Sequence, residues 1–526
     1  MWRNERVYYN RQCDLCRKNI IATYDKTAPF PVYCQKCWWG DDWNPYEYGR
    51  DFDFTKPFFE QFKELLYKVP MIGMQNDDGI ASKDSEYAQD IAFSKDVYLS
   101  VCGWFCEHVY YSWYFCYDKD IVDCSMVSNS ELCYQCIESD KCARCLYCFL
   151  AFGSLNCAFC VDVKNCMDCF LCAGLRNKKY CVRNIQYSKE DYEKILKSYA
   201  LNTRSGLRKA LKERDDFALK YPKRFSVLLK TTNSTGYFLT NAKNTRHSFY
   251  VLGPVENSKY LVYMDQAKDC YDINNSGKPE LCYDCVTPDE CFQERFCVFC
   301  WRNSFCDYSY NCHNGNNIFG SIALKKGEYA ILNKKYSKED FTLLKDKIIE
   351  HMKKTGEWGE FFPSNISPFS YNETQAYEHF PLTKDEVLAK GLSWKERELR
   401  NYAVDFLVSE VLGTLPSNEN EIVGKVIECT NNGKNINTCT TAFRITAYEY
   451  GFYKRFDLPL PVLCPNCRYY ERLKYKFPPN LYRRQCMCDK KHAHHEGKCP
   501  NEFETPYAPE RPEIVYCEKC YQQEVY

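Results

Sequence analysis

The chain has 526 residues, 70 Lys and Arg against 70 Asp and Glu, and 36 cysteines. That length exceeds what one hydrophobic core supports, so several domains are expected. Balanced charge excludes a molecule whose whole surface seeks polyanions; any nucleic-acid site must be local.

So many thiols suit either an oxidising compartment, as disulfides, or a reducing one, as metal ligands and buried thiols. The first residues, Met1-Trp2-Arg3-Asn4-Glu5-Arg6, lack an apolar stretch of the signal-peptide kind, and disulfide-dense domains are usually short and exported. A reduced, cytoplasmic setting is therefore expected. The most apolar window, Cys145 to Val161, is interrupted by Asn156 and falls short of the roughly 20 residues of a membrane span. No membrane partner is expected.

Residues 1–50 read as an N-terminal zinc ribbon or treble clef. Cys13 and Cys16 form one Cys-x-x-Cys knuckle and Cys34 and Cys37 a second. That spacing lets two sulfurs converge from one tight turn, and two knuckles complete a tetrahedral tetrathiolate. Residues 51–89 form a helical linker, in which Phe58, Phe59, Phe62, Leu65 and Leu66 share one helical face over 56–68.

The middle of the chain repeats. Cys133, Cys136, Cys142, Cys145 and Cys148 recur 24 residues on as Cys157, Cys160, Cys166, Cys169 and Cys172. A longer shift of 149 residues maps Cys133, Cys136, Cys142, Cys148 and Cys157 onto Cys282, Cys285, Cys291, Cys297 and Cys306, and Tyr187-Ser-Lys-Glu-Asp191 onto Tyr336-Ser-Lys-Glu-Asp340. Short strand-like runs such as Phe249–Leu252 and Lys259–Met264 lie between turn-forming residues. The pattern predicts two β-solenoid units, 90–235 and 236–357, with 24 residues per turn and a capping helix after Tyr187 and Tyr336. Stacked coils turn repeated cysteines into ladders, either of buried thiols or, in the first unit, of metal ligands. In the second unit Cys160 corresponds to Ser309, Cys166 to Gly315, Cys169 to Ile318 and Cys172 to Ser321, which favours packing. A basic helix is expected within 202–225.

Residues 358–420 read as an irregular and helical linker, with a helical stretch over about 383–412. Residues 421–526 read as a double zinc ribbon. One ligand set is Cys429, Cys439, Cys464 and Cys467; the other is Cys488, Cys499, Cys517 and Cys520, with Cys486, His492, His494 or His495 as alternatives for one ligand. About three Zn²⁺ per chain are expected, all in closed structural sites. The whole is a multidomain, β-rich α+β protein with terminal zinc ribbons or treble clefs flanking a duplicated β-solenoid with helical caps.

No P-loop, GxGxxG or HExxH is present, and no catalytic residue stands out. The strongest local binding signal is 451–500, with eleven Lys and Arg against four Asp and Glu. Aromatics interleave with the cations through Arg468, Tyr469, Tyr470, Arg472, Lys474, Tyr475 and Lys476, then Arg483 and Arg484. Such a surface can neutralise phosphates and stack bases, so RNA or ribonucleoprotein is the expected partner of a non-enzymatic scaffold. The alternatives are a structural subunit contacting protein or copies of itself, and a thiol redox or metal-buffering protein.

Val32-Tyr-Cys-Gln-Lys-Cys-Trp-Trp39, Gly359-Glu-Phe-Phe-Pro363, Leu460-Pro-Val-Leu-Cys-Pro-Asn-Cys467 and Ile514-Val-Tyr-Cys-Glu-Lys-Cys-Tyr521 carry a resemblance. Across nearly its whole length the chain resembles an uncharacterised family of large cysteine-rich zinc-ribbon proteins from uncultivated reduced-genome bacteria. The resemblance implies an intracellular bacterial zinc protein and brings no activity with it.

Overall fold

Backbone geometry in the middle of the chain follows a three-residue rule. In the computed structural model, which describes all residues except 77–81, 265, 273, 277–296, 397–401, 412, 435–437 and 526, every third residue from Asp90 to Arg183 is left-handed, with φ of 44–62°. A non-glycine residue there is disfavoured by about 1–2 kcal/mol. Asp and Asn tolerate it best, and they fill Asp90, Asp96, Asp120, Asp123, Asn129, Asn156, Asp162, Asn165, Asp168 and Asn177. The residue after most left-handed ones faces inward, which buries Val97, Val109, Ile121, Val127, Cys133 and Cys136 among others in one core.

Turning at every third residue brings the chain back over itself after twelve. Strands pair in parallel at that step: Trp113 with Ser125, Ser125 with Ile137, Ile137 with Phe149 and Phe149 with Val161. A second ladder joins Glu107 to Lys119 and Lys119 to Glu131. The 24-residue sequence repeat therefore covers two pairing steps rather than one turn.

The inward side chains also satisfy the backbone. Ser130 Oγ accepts the N–H of Cys142 at 3.0 Å, and Ser100 Oγ that of Ser112 at 2.9 Å. The thiols of Cys136, Cys148 and Cys160 donate to carbonyls of Cys145, Cys157 and Cys169 at 3.3–3.4 Å. A small, weakly polar side chain thus meets a steric and a hydrogen-bonding need at once.

The described strands of the second stack lie in 228–276 and 304–335. Its step is twelve from Tyr237 to Phe249, thirteen from Phe249 to Val262, and twelve again from Ser304 to Asn316 to Glu328. Among the described residues its interior is more aliphatic, with Leu239, Val251, Leu261, Met264, Ile318 and Leu324 beside Cys297, Cys300, Cys306 and Cys312. Cys282, Cys285 and Cys291 lie outside the described residues.

Both stacks end alike. Ile185–Gln186 and Lys334–Lys335 fold back antiparallel on the last parallel strand, closing an edge that would otherwise offer free N–H and C=O groups. Ser188 and Ser337 then cap helices Lys189–Ser198 and Lys338–Thr355 by accepting the N–H of Asp191 and Asp340. Helix Arg204–Ala218 follows the first stack.

The flanking regions pack crosswise. The N-terminal zinc-type unit and helix Phe58–Leu66 join the second stack in one core that includes Trp2, Trp38, Phe58, Phe62, Tyr308, Tyr310 and Phe319. The C-terminal region lies largely on the first stack, through Tyr111, Tyr134, Tyr450 and Tyr453. Among the described residues, the helix expected over 383–412 is found at Lys384–Ala389 and as a short turn Val408–Val411, because Gly391, at φ 70°, breaks the first segment. The preceding segment is more than a linker, since Phe362, Ile366 and Phe369 enter the N-terminal core. No helix among the described residues is long and apolar enough to cross a membrane.

Candidate metal centres and the buried basic helix

Three sets of four thiols converge: Cys13, Cys16, Cys34 and Cys37; Cys429, Cys439, Cys464 and Cys467; and Cys486, Cys499, Cys517 and Cys520. A tetrahedron with metal–sulfur bonds of about 2.3 Å has sulfur–sulfur edges of about 3.8 Å. The separations fall on that value: 3.9 Å for Cys16–Cys34, 3.7 Å for Cys429–Cys439, 3.8 Å for Cys429–Cys467 and 4.0 Å for Cys499–Cys517. The donor chemistry and spacing fit zinc.

The three sets share one local design. The first cysteine of each second knuckle stands at the start of a helix, Gln35–Trp39, Pro465–Leu473 or Glu518–Val525; a two-residue strand leads into the first and third, Val32–Tyr33 and Val515–Tyr516. In each, the N–H of that cysteine donates to the first thiol of the set at 3.2 Å, Cys34 to Cys13, Cys464 to Cys429 and Cys517 to Cys486. Backbone donors and the positive end of a helix stabilise thiolate charge. In the N-terminal set the N–H of Lys18, and then the neighbouring Cys37 thiol, bring the exposed Cys16 down to about 7.

This shared N–H–sulfur contact corrects the expected third set. Cys486, not Cys488, occupies the position that Cys13 and Cys429 hold, because it faces the Cys517 knuckle. Cys488 is also fully buried but stands against His492, whose Nε2 is 3.2 Å from its sulfur. Comparing the three knuckles, each preceded by Val and one further residue (Val32-Tyr, Val462-Leu, Val515-Tyr), is the sequence signal that aligns the sites.

The basic-aromatic segment is not an open face. Arg468, Tyr469, Arg472 and Lys476 are all buried, at 5 % exposure or less. Arg468 Nε pairs with Asp123 at 2.9 Å, and Arg472 bonds Asp123 at 3.0 Å and the Tyr111 carbonyl at 3.2 Å. Tyr469 donates to Glu378 at 2.8 Å, and the Arg6 guanidinium lies 3.6 Å from its ring centre. The Lys476 ammonium sits 3.6 Å from the Trp113 ring centre, and burial lowers it to about 8. Tyr475 bonds Asp215 and Tyr470 is half-buried. The residues still exposed, Lys474 and Arg483, are matched by Glu471 and Glu502, while Arg484 donates to the carbonyls of Tyr507 and Ala508. The sequence pattern was right about local charge but blind to Asp123 and Glu378, remote in the chain, which pair with the segment.

A scan against protein-family models and a search among curated proteins returned no match to this chain. What fold and sites define is a class: a cysteine-rich protein of parallel β-ladders and α-helices, carrying three four-thiol sets compatible with zinc.

Proposed function

We propose that this chain is a non-enzymatic, zinc-stabilised scaffold: a duplicated β-solenoid held by three structural zinc ions, working through contacts with other proteins. The observation that carries this reading is the buried arginine pair. Arg468 and Arg472, the centre of the basic segment, are spent on Asp123 of the first stack, so the second zinc knuckle acts as an internal joint. Each four-thiol set supplies all four ligands itself and leaves no coordination position for a substrate or catalytic water. The reduced, intracellular setting suggested by composition and by the family resemblance agrees with this role.

One observation favours RNA or ribonucleoprotein as the partner. A cleft of about 450 Å³ between helix Arg204–Ala218 and the Pro459–Leu463 segment is lined by Arg204 and Arg208, with Tyr147 and Tyr475 on its walls. Arginines and aromatic rings are what single-stranded nucleic acid engages.

The two readings separate cleanly. The protein isolated from its own cells should carry protein and no nucleic acid, and should not bind single-stranded RNA at low salt. Salt-sensitive RNA binding, with a slope of roughly −0.7 per phosphate neutralised, that Arg204→Ala/Arg208→Ala abolishes while zinc content holds would establish the RNA reading instead.

A further inference from the structure

The third zinc region has more ligands than one ion can use. Beside Cys486, Cys499, Cys517 and Cys520, a second set of donor atoms converges, Cys488, His492, His495 and Cys520, again with all atoms within 4.8 Å of one another. We propose that this lobe holds a second zinc ion, bound by Cys488, His492 and His495 and joined to the first through a bridging Cys520 thiolate.

Distances, burial and hydrogen bonds all point the same way. For bonds of about 2.3 Å to sulfur and 2.0–2.1 Å to nitrogen, a tetrahedral S–N edge is about 3.5 Å. Cys488 Sγ lies 3.2 Å from His492 Nε2, and Cys520 Sγ lies 3.1 Å from His495 Nε2. The Cys488 thiol is fully buried, and the His492 side chain is 7 % exposed. His495 Nδ1 is 2.8 Å from the Gly497 carbonyl. A carbonyl can only accept, so Nδ1 carries the proton and the Nε2 lone pair faces Cys520, the arrangement expected of a metal-bound imidazole. His492 and His495 are held together by backbone pairing, His492 N–H to the His495 carbonyl at 3.0 Å, which presents both rings from one tight turn.

His494 also approaches Cys520, at 3.3 Å. A set built on it, with His495, Cys499 and Cys520, would take two thiolates from the first ion and leave Cys488 unused. The His492 set takes one and uses every cysteine of the lobe. Charge supports sharing as well. One Zn²⁺ with four thiolates carries a net −2; two Zn²⁺ with five thiolates and two neutral imidazoles carry −1. A bridged pair is the less costly charge to hold in a buried lobe.

The inference adds to the three-zinc reading, and elemental analysis of the full chain prepared under reducing conditions distinguishes the two. Four zinc per chain are expected, falling to three in His492→Ala/His495→Ala and remaining four in His494→Ala. Three in the unaltered chain, unchanged by the double substitution, overturns the second ion and leaves the three tetrathiolate sites intact; fewer than three overturns both. A fall to three in His494→Ala, with four kept in His492→Ala, would overturn the ligand assignment. Should the variants not fold, ¹¹³Cd substitution of the unaltered chain decides the matter. Two resonances split by coupling through a shared thiolate are expected, and only uncoupled four-sulfur signals would reject the bridge.

Discussion

A single inward slot of the ladder shows what its cysteines do. Cys160 Sγ also lies 3.3 Å from the carbonyl two residues back, Ala158; in the second stack Ser309 fills the corresponding slot, its hydroxyl 3.3 Å from the carbonyl of Asp307. Where thiol and hydroxyl interchange in this way, packing and backbone satisfaction set the requirement. Replacing Cys133 and Cys136 by Ser should therefore leave zinc content unchanged while shifting stability by about 1–3 kcal/mol, the scale of perturbing buried hydrogen-bonded groups; loss of a zinc equivalent would assign these thiols to metal. Glu138 illustrates the opposite case, a buried group ill at ease with its charge. Burial raises its carboxyl to about 7, against the donated hydroxyls of Tyr237 and Tyr250 and the attraction of Lys476. The native state then keeps a proton that the unfolded chain has released above its ordinary 4.5, so this group's contribution to stability is present at low pH and lost as pH rises to about 7. Glu138→Gln should gain about 3 kcal/mol on the wild type between pH 4.5 and 7.5. Urea unfolding at several pH values measures it, and parallel curves would reject the assignment.

Among the elements, helix Pro465–Leu473 links several parts of the molecule. Its first turn carries Cys467, its middle Arg468 and Tyr469, and its end Arg472, so zinc site, first stack and N-terminal tail meet on nine residues. Arg472→Gln leaves the fully buried Asp123 with half its compensation, and breaking such a pair costs about 3–5 kcal/mol. Thermal denaturation should show that loss, whereas a small surface-like effect would remove the helix from its role as joint. The elements also show how far the sequence could be read. Knuckle spacing, the duplicated Tyr-Ser-Lys-Glu-Asp with its serine cap, and the basic helix were all visible locally. The twelve-residue step was visible too, in Cys133, Cys145, Cys157, Cys169 and Cys181, but it was masked by the column in which Ser130, Cys142, Ser154 and Cys166 alternate and double the apparent period. Left-handed Leu, Tyr and Phe residues, such as Leu132, Tyr147 and Phe159, carry no mark in the sequence, because the repeated backbone turn and not the side chain sets that conformation. The burial of Arg468 and Arg472 depends on partners more than 300 residues away, which no local pattern reveals.

At the scale of the whole molecule, the four-thiol sets differ in access. Cys16 is exposed and Cys34 half-buried, whereas every sulfur of the two C-terminal sets is buried. A chelator should strip zinc from the N-terminal set first, and Cys16→Ser should remove that fast phase from the release curve; a fast phase that survives the substitution would place the labile ion elsewhere. The crosswise packing bears on how the protein is made. Phe58 packs against Phe319, and Trp38 against His313, so the N-terminal core is completed by residues that leave the ribosome about 260 residues later. At 5–20 residues per second, that is a wait of roughly 13–50 s during which Trp38 and Phe58 have only their local neighbours, such as Trp43 and Phe62, as cover. Early capture of zinc by Cys13, Cys16, Cys34 and Cys37 would hold the knuckles in shape through that interval, making the metal as much an aid to birth as to the finished fold.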